Sequence, residues 1–391
     1  MVSWRLFRDL TQLQMISDAH RLAAGALDMP NRLLLGAGPS NPNPRVMQAL
    51  MGRTVGHLDP TFLRVMDDIR EMLRYAWQTD NEHTLLISGT GTAGMEAAIA
   101  NAVEPGDVVV VAVAGYFGDR VAQIAARYGA EVRRLDAEWG EAFSFETLRA
   151  AVEEHRPAVL ALVHAETSTG VLQPLDGLGE LCHAHDCLLL VDSVTSMGGV
   201  PLLLDASGVD VAYSGSQKCM AAPSGVAPLT FSPRAMDKLA RRKVPVRSWY
   251  LDYTLLSKYW GLERAYHHTA AINMYYAMRE SLRVVCEEGL EARWARHRAA
   301  AEHLWAGLEE IGLECHVARE FRIPSLTTVR VPEGVDARGV TRQLLEDFDI
   351  EIAGGLGRLA GKVWRVGLMG YNARGENADR LLVALRKILG R

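Results

Sequence analysis

Short, strongly apolar segments alternate with helical stretches from about residue 84 of the chain onwards. Strands of a parallel sheet are buried on both faces and therefore carry nearly continuous apolar runs. Stretches such as GMEAAIANAVE and DRVAQIAARYGA lie between these runs, are helical in pattern and end at Gly or Pro-Gly. This repeated βαβ alternation predicts an α/β fold with a doubly wound, mostly parallel, seven-stranded sheet. The predicted strands are TLLIS (84–88), VVVVAV (108–113), EVRRL (131–135), AVLALVH (158–164), CLLLVD (187–192), VDVAY (209–213) and VAPLTFS (226–232).

The pattern changes after about residue 280. One long helical stretch (280–312) is followed by three short apolar segments, LTTVRVP, IEIAGG and KVWRVGL, which we predict to be antiparallel strands. The chain then continues in the amphipathic helix ENADRLLVALRKIL. We therefore predict an N-terminal arm (1–32), a large domain (33–280) and a small C-terminal α+β domain (281–391). The arm has a heptad-like spacing of apolar residues that favours packing against another surface, at Leu6, Leu10, Leu13 and Ile16.

The composition is that of an ordinary globular protein, with 49% hydrophobic and 23% charged residues among 391 and a net charge of −5. No block of five or more like charges occurs, so we expect no nucleic-acid surface and no polybasic membrane anchor. No apolar run reaches the roughly 18 residues that a membrane span needs. The first residues contain Asp9 and Asp18 and lack an apolar core, so we expect no signal peptide and a cytoplasmic location.

The five cysteines are odd in number and form no CxxC pair, which indicates free thiols in a reducing compartment. Cys182 and Cys187 flank His183 and His185, an arrangement that could suggest zinc. A second pair of ligands is missing from this helix-to-strand segment, and we therefore predict no metal site.

Polar and ionisable residues follow the predicted strands directly. In open α/β sheets, ligands bind at the carboxyl ends of the strands, so these residues are the first candidates for a site. They are Ser88–Thr92, Gly115–Phe117, Glu166–Ser168, Asp192–Ser193 and Ser214–Lys218.

The glycine-rich segment Gly89–Gly94 matches the G-x-G-x-x-G pattern between a strand and a helix, so a dinucleotide-binding fold is one alternative. That fold also needs an acidic residue at the end of the next strand, where this chain has Ala114, Gly115 and Tyr116. The weaker inference that remains is a phosphate held by backbone N–H groups at a helix N-terminus. A glycine-rich turn without a ligand is the other alternative.

Lys218 and Asp192 end or follow successive strands, 26 residues apart. A lysine that follows a buried strand among small residues lies in a pocket, where burial lowers its pKa and provides the neutral amine that Schiff-base chemistry needs. An aspartate at Asp192 is placed to pair with the ring nitrogen of pyridoxal 5′-phosphate (PLP), although a helix cap is the commoner use of such a residue.

Arg365 lies within the apolar strand KVWRVGL. A guanidinium in such a strand needs an anionic partner, because it cannot lose its charge. The carboxylate of a substrate and an internal salt bridge explain it equally well.

Together with the surrounding sequence, these residues resemble a known family of enzymes. It is similar over residues 30–391 to the alanine–glyoxylate and serine–pyruvate aminotransferases, which are class V, fold-type-I PLP enzymes. The segments that carry the resemblance are GAGPSNPNPRV (36–46), ISGTGTAGMEAA (87–98), EPGDVVVV (104–111), HAETSTGVLQPLDGLGELCH (164–183), LLLVDSVTSMGG (188–199), YSGSQK (213–218), YHHTA (266–270), FDIEIAGGLG (348–357) and KVWRVGLMGYNA (362–373).

The resemblance implies a role for each matching residue. Lys218 would be the Schiff-base lysine, Asp192 the partner of the pyridine nitrogen, and Arg365 the residue that binds the substrate carboxylate, with Gly38 nearby. The residues implied to bind the cofactor's ring are Phe117 and Thr167, and those implied for its phosphate are Thr90, Gly91, Thr92 and Gln217. Tyr266 and Thr269 would reach the phosphate from the other subunit of a homodimer with shared active sites.

Three positions depart from the animal members of this family. Phe117 stands where they have Trp, and Thr92 stands where they have His. The run Gly36-Ala37-Gly38-Pro39 replaces a Gly-Pro-Gly-Pro run near the substrate.

The implied function is transfer of the amino group of alanine or serine to glyoxylate or pyruvate by a ping-pong mechanism, with small amino acids and 2-oxo acids as partners. The alternatives on the same scaffold are ureidoglycine–glyoxylate or pyridoxamine–pyruvate transamination, and cysteine desulfuration. A desulfurase needs a reactive cysteine on a mobile loop, which the sequence does not indicate. A non-enzymatic or nucleotide-binding α/β protein has only the glycine-rich turn in its favour.

Overall fold

The computed structural model describes residues 26–391. Its helices are α1 (Pro44–Leu50), α2 (Pro60–Trp77), α3 (Gly91–Ala102), α4 (Tyr116–Arg127), α5 (Phe145–His155), α6 (Leu178–Ala184), α7 (Pro233–Ala240), α8 (Tyr253–Trp260), α9 (Ile272–Glu288), α10 (Leu290–Glu310), α11 (Ala337–Phe348) and α12 (Gly375–Leu389). Its strands are β1 (Leu33–Leu34), β2 (His83–Ser88), β3 (Val108–Val113), β4 (Glu131–Asp136), β5 (Val159–Val163), β6 (Ala165–Glu166), β7 (Val171–Leu172), β8 (Leu188–Asp192), β9 (Val211–Tyr213), β10 (Val226–Phe231), β11 (Leu326–Arg330), β12 (Ile350–Glu351), β13 (Ala353–Gly354) and β14 (Val363–Gly367).

Seven strands form the central sheet in the order β2-β10-β9-β8-β5-β3-β4, which confirms the predicted α/β fold and its mostly parallel sheet. The five strands from β9 to β4 pair in parallel. Two predictions about single strands were wrong. Strand β10 runs antiparallel to both of its neighbours, because an apolar run reports burial and not direction. Strand β4 lies at the edge and is mostly exposed, as its charged residues allow.

Helix boundaries follow local signals. Helix α2 begins after Asp59, whose carboxylate accepts a hydrogen bond from the amide of Thr61, and ends at Gln78 in the left-handed conformation. The stretch 280–312, predicted as one helix, is divided between α9 and α10. The break lies at Gly289, whose φ of +81° is a conformation that favours glycine.

A second sheet of three antiparallel strands, in the order β11-β14-β13, follows in the C-terminal part and confirms the predicted antiparallel pairing there. Strand β12, by contrast, pairs in parallel with β1. The second sheet has its own apolar core beside α10, α11 and α12. Residues 33–391 nevertheless form one compact unit, and the predicted boundary at residue 280 falls within α9. The division into a large and a small domain therefore stays a prediction, and the predicted arm lies, for residues 1–25, outside the described residues.

Residues 33–41, which we call the linking segment, connect the two sheets. The amide of Gly367 at the end of β14 donates to the carbonyl of Leu35. Five residues after Leu35, the amide of Ser40 donates to the carbonyl of Gln217, and its hydroxyl donates to the carbonyl of Lys218 at 2.9 Å. The linking segment thus joins the strand that carries Arg365 to the loop that carries Lys218.

All five cysteines are free thiols, of which Cys182, Cys187 and Cys219 are buried. Between residues 26 and 391, no three His, Cys, Asp or Glu side chains are grouped so that they could hold a metal ion. Within the same range, the helices are too short or too polar to cross a membrane.

Candidate active site

A cavity of about 170 Å³ opens at the carboxyl edge of the central sheet, where the strand ends were expected to place a site. Its walls come from the residues that follow β2, β3, β5, β8 and β9. Seven of the predicted site residues share this cavity: Gly91, Thr92, Phe117, Thr167, Asp192, Gln217 and Lys218. The remaining lining residues are Met95, Arg120, Val163, Ala165, Val194 and Thr195.

Lys218 is one of the cationic side chains that line this cavity. It follows β9, is 8% exposed, and its Nζ donates a hydrogen bond to the carbonyl of Ala37. Burial, with a smaller contribution from the nearby Arg365 guanidinium, lowers the pKa of Lys218 to about 8. A side chain at Gly38 would collide with this amine, since a Cβ there would lie 2.5 Å from Nζ. The amine therefore has a substantial neutral fraction near pH 8, as carbonyl chemistry requires.

Asp192, the last residue of β8, is buried beneath the same cavity. Its Oδ1 accepts a hydrogen bond from the amide of Val194 at 2.8 Å, and its Oδ2 accepts one from the hydroxyl of Tyr213 at 2.7 Å. Burial raises the pKa of Asp192 to about 6, while these two hydrogen bonds act in the opposite direction. The carboxylate is thus ionised at neutral pH and held in one orientation.

The N-terminus of α3 supplies hydrogen-bond donors that the protein does not use. The amides of Gly91 and Thr92 have no acceptor among the described residues, and both residues line the cavity. Thr90 is the N-cap residue of this helix, yet its side chain makes no capping hydrogen bond. The side-chain oxygen of Gln217 is buried and has no hydrogen-bond partner in the part of the chain that the structure describes. Free amides at a helix N-terminus favour an anion such as a phosphate.

The N-terminus of α4 differs, because a carboxylate of the protein already occupies it. Oε2 of the buried Glu166 accepts hydrogen bonds from the amides of Phe117 and Gly118, both at 3.1 Å. Its Oε1 accepts from the hydroxyl of Ser168 at 2.6 Å, and the oxygen of that hydroxyl accepts from the amide of Tyr116. Burial raises the pKa of Glu166, and these donors oppose the shift. Glu166 therefore fixes the first turn of α4, and with it the backbone of Phe117.

Arg365 lies at the centre of β14 and is 7% exposed. Its Nε donates to the carbonyl of Gly354 at 2.8 Å, and its Nη1 donates to that of Thr167 at 3.3 Å. No carboxylate in residues 26–391 lies within 4 Å of it, although Glu166 is close enough to favour its charge. The internal salt bridge considered from the sequence is therefore absent from this range, which leaves the guanidinium able to bind an anion.

Tyr266 and Thr269, by contrast, do not line this cavity. Both are exposed, Tyr266 to 63%, and the ring of Tyr266 lies 5.1 Å from that of His57. Thr90 is likewise exposed and outside the cavity wall. Within one chain, the structure therefore places Phe117 and Thr167, which were predicted for the cofactor's ring, in the same cavity as Lys218. Tyr266 and Thr269, which were expected from a second subunit, do not line it.

Three residues of the site were not assigned from the sequence. Tyr213 was noted only as part of a strand, and Glu166 only as a residue after a strand. Arg120 was not considered, although it follows Phe117 by one helical turn and lines the cavity. That spacing on a helix that begins at the cavity is the signal that could have identified it.

The chain is similar to several aminotransferases. Residues 35–381 match the sequence profile of the family described as aminotransferase class-V. The chain is 46% identical to alanine–glyoxylate aminotransferase of Rattus norvegicus, over 99% of this chain and 94% of the rat protein. It is 40% identical to (S)-ureidoglycine–glyoxylate transaminase of Bacillus subtilis, over 92% and 91% of the two chains. The solved structure of alanine–glyoxylate aminotransferase from Nostoc sp. superimposes with a TM-score of 0.94 and 60% identity, and the match covers 96% of this chain and 99% of that one.

Proposed function

The chain belongs to the class-V aminotransferase family, and we propose that it transfers the amino group of alanine or serine to glyoxylate or pyruvate in a ping-pong cycle. One observation above all supports this proposal: the buried amine of Lys218 lies in a cavity that also contains Asp192 and the free amides of α3. Glyoxylate is the favoured acceptor, because it occurs in the names of both the alanine and the ureidoglycine relatives.

Membership of the class-V family implies PLP as the cofactor. The residues present fit this group, since the α3 amides of Gly91 and Thr92 lack acceptors within residues 26–391, at a place where a phosphate needs donors. In the proposal, Thr90, Gly91, Thr92 and Gln217 hold the phosphate, Phe117 contacts a face of the ring, and Thr167 lies beside it. When bound, the cofactor supplies a carbonyl carbon for attachment of amines and a ring that accepts electrons from the substrate's Cα.

The residues of the chain then have separate tasks in the proposal. Lys218 would hold the cofactor through its amine and, once released, would take the proton from the substrate's Cα. In the reverse half-reaction, the same amine would return a proton to Cα. Its pKa of about 8 suits both directions of this transfer. Asp192, ionised and fixed by Tyr213, keeps the ring nitrogen protonated. Arg365 binds the substrate's carboxylate through its free N–H groups.

The same proposal includes a homodimer. Tyr266 and Thr269 are exposed and lie outside the cavity of their own chain, as expected if they serve the cavity of a partner. Other large apolar side chains in the neighbouring sequence are exposed as well, Leu262 completely and Trp249 to 63%. Burial of these side chains between two subunits would remove them from water. The cytoplasmic location expected from the sequence stays a prediction.

A spectroscopic experiment tests the proposed function. The purified chain with PLP should show a visible absorption band that alanine or serine bleaches and glyoxylate restores, with each amino acid and 2-oxo acid tested as a half-reaction. Lys218→Ala should still bind PLP without a covalent bond but lose turnover. Absence of the band in the wild-type chain would contradict the proposal. Release of sulfide from cysteine without transfer of an amino group would indicate a desulfurase instead.

A further inference from the structure

Arg120 connects the first turns of two helices at the cavity. It lies on α4, one turn after Phe117, and its Nη1 donates a 3.1 Å hydrogen bond to the hydroxyl of Thr92 on α3. Its guanidinium carbon is 5.4 Å from the ring centroid of Phe117 and 5.1 Å from that of Tyr116. The side chain is half-buried and forms part of the cavity wall. Its position is thus fixed by one hydrogen bond and two aromatic rings.

No carboxylate of the described residues neutralises Arg120 within the 4 Å of an ion pair. The preceding residue, Asp119, is bound instead to Arg134 at 2.5 Å and accepts a hydrogen bond from Gln123. A guanidinium keeps its charge at every physiological pH, and a partly buried one is costly without an anion nearby. The cavity wall therefore contains a positive charge that the protein itself does not balance.

The two helix N-termini near Arg120 differ, because a carboxylate of the chain occupies only one of them. At α4, the carboxylate of Glu166 takes the amides of Phe117 and Gly118. At α3, the amides of Gly91 and Thr92 have no acceptor in residues 26–391. Each free helix N-terminus carries a partial positive charge. Positive charge thus accumulates at Thr92, where the unpaired amides of α3 meet the guanidinium from α4.

We propose that Arg120 is a phosphate-binding residue, and that it provides the cationic side chain for the phosphate of PLP at the N-terminus of α3. This inference rests on the proposed function, which makes PLP the ligand of the cavity. One N–H of the guanidinium is used by Thr92, and the planar fork leaves others for phosphate oxygens. The phosphate is thereby held by amides and by a charge, with Thr92 as the residue shared between them.

The second carboxylate of a dicarboxylic amino acid is the other anion that could pair with Arg120. The contacts favour the phosphate. Arg120 is bound to a residue of the α3 N-terminus, whereas Arg365 is bound to the carbonyls of Thr167 and Gly354. The two arginines therefore belong to different sets of contacts: Arg120 contacts the N-terminus of α3, and Arg365 contacts the backbone carbonyls of Thr167 and Gly354.

The test compares PLP with pyridoxal, which has the same ring and aldehyde but no phosphate. Dissociation constants for both are measured by absorbance titration of the cofactor-free wild-type chain and of Arg120→Gln, Arg120→Lys and Arg127→Gln. Arg127 is the matched control, because it is exposed in the last turn of the same helix, away from the cavity. We expect Arg120→Gln to raise the Kd of PLP roughly 10- to 100-fold and to leave that of pyridoxal unchanged. The Kd of PLP for Arg120→Lys should lie between those of the wild type and of Arg120→Gln, and that for Arg127→Gln should match the wild type.

Inorganic phosphate provides a second measurement that needs no turnover. It should compete with PLP for the wild-type chain and raise its Tm, and both effects should be much weaker in Arg120→Gln. Unchanged binding of pyridoxal by that variant shows that the cavity has kept its fold.

Three results would overturn the assignment of Arg120. The first is a Kd for PLP that is the same in Arg120→Gln and Arg127→Gln. The second is an equal loss of affinity for PLP and for pyridoxal, which would show that Arg120 acts on the binding of the cofactor's ring through Phe117. The third is normal PLP binding with turnover lost only for aspartate and glutamate, which would identify a distal carboxylate site. Failure of the wild-type chain to bind PLP at all would overturn the proposed function together with this inference. In the three results above, by contrast, the wild-type chain still binds PLP, and only the assignment of Arg120 fails.

Discussion

The hydroxyl of Tyr213 donates a 2.7 Å hydrogen bond to Oδ2 of Asp192, and the two residues are register partners at the ends of the adjacent parallel strands β9 and β8. Both side chains are buried, so this bond is made inside the protein and not in competition with water. A second bond, from the amide of Val194, holds the other carboxylate oxygen. The charge of Asp192 is thus maintained against a burial that raises its pKa to about 6.

Tyr213→Phe should move the acid limb of the pH–rate profile towards higher pH. The substitution removes a donor to the ionised form, so the pKa of Asp192 rises further above its ordinary value and the carboxylate is lost at a higher pH. We expect a shift of about one pH unit in the half-reaction with alanine. Tyr128→Phe is the control, since Tyr128 bonds to Glu96 away from the cavity. An unshifted profile in Tyr213→Phe would show that the bond does not control ionisation of Asp192.

Arg365→Gln should weaken the binding of substrates that have a carboxylate. Loss of a charge-assisted bond should raise the KM for alanine by roughly 10- to 100-fold. Ethylamine, which is alanine without its carboxylate, should react with the variant and with the wild type at similar slow rates. Arg330→Gln is the matched control, because Arg330 is exposed at the end of the neighbouring strand β11. An equal loss for alanine and ethylamine would instead indicate damage to the cavity.

Glu166→Gln should loosen the first turn of α4. Glutamine offers one acceptor oxygen in place of two and turns an NH₂ group towards donors that now meet the carboxylate of Glu166. We expect the free energy of unfolding to fall by about 1–3 kcal/mol, as for other buried groups left without partners. Denaturant unfolding of the cofactor-free chain measures this. Glu153→Gln, an exposed position on α5, should leave the stability unchanged. Wild-type stability of Glu166→Gln would show that a neutral side chain suffices at this position.

Mixed dimers should recover activity if the active sites are shared. Lys218→Ala and a double variant, Tyr266→Ala with Thr269→Ala, should each be poorly active alone. After unfolding and refolding together, a mixed dimer has one site with an intact Lys218 from one chain and intact Tyr266 and Thr269 from the other. We expect about half of the wild-type activity per mixed dimer, measured after light scattering has established the mass. No recovery in a confirmed mixed dimer would place all of these residues in the site of their own chain.

The sequence predicted the central sheet and most of the cavity because both depend on short patterns along the chain. Apolar runs identify buried strands, and the residue after a strand lies at the ligand edge, which is enough to find Lys218 and Asp192. The direction of β10 was missed because burial on both faces is the same for parallel and antiparallel strands. The break at Gly289 was missed because a single glycine is tolerated in many helices.

The contacts that organise the site could not be predicted from local patterns. Glu166 and Phe117 are 49 residues apart, and their hydrogen bond depends on how two strand ends meet. Arg120 and Thr92 likewise meet through the relative placement of two helices. The roles of Tyr266 and Thr269 depend on a second chain, so they stay predictions.

The linking segment has a practical consequence for shortened forms of this protein. Residues 33–41 contribute few side chains to either core, yet they hold the strand of Arg365 at one end and the loop of Lys218 at the other. A shortened protein that begins after Asn41 would retain every strand of both sheets and every residue proposed to bind the cofactor. It would lose the contacts that fix the distance between Arg365, proposed to bind the substrate's carboxylate, and Lys218, proposed to move its Cα proton. We expect such a form to fold and to bind PLP. Alanine bound to it would not be aligned with the amine of Lys218.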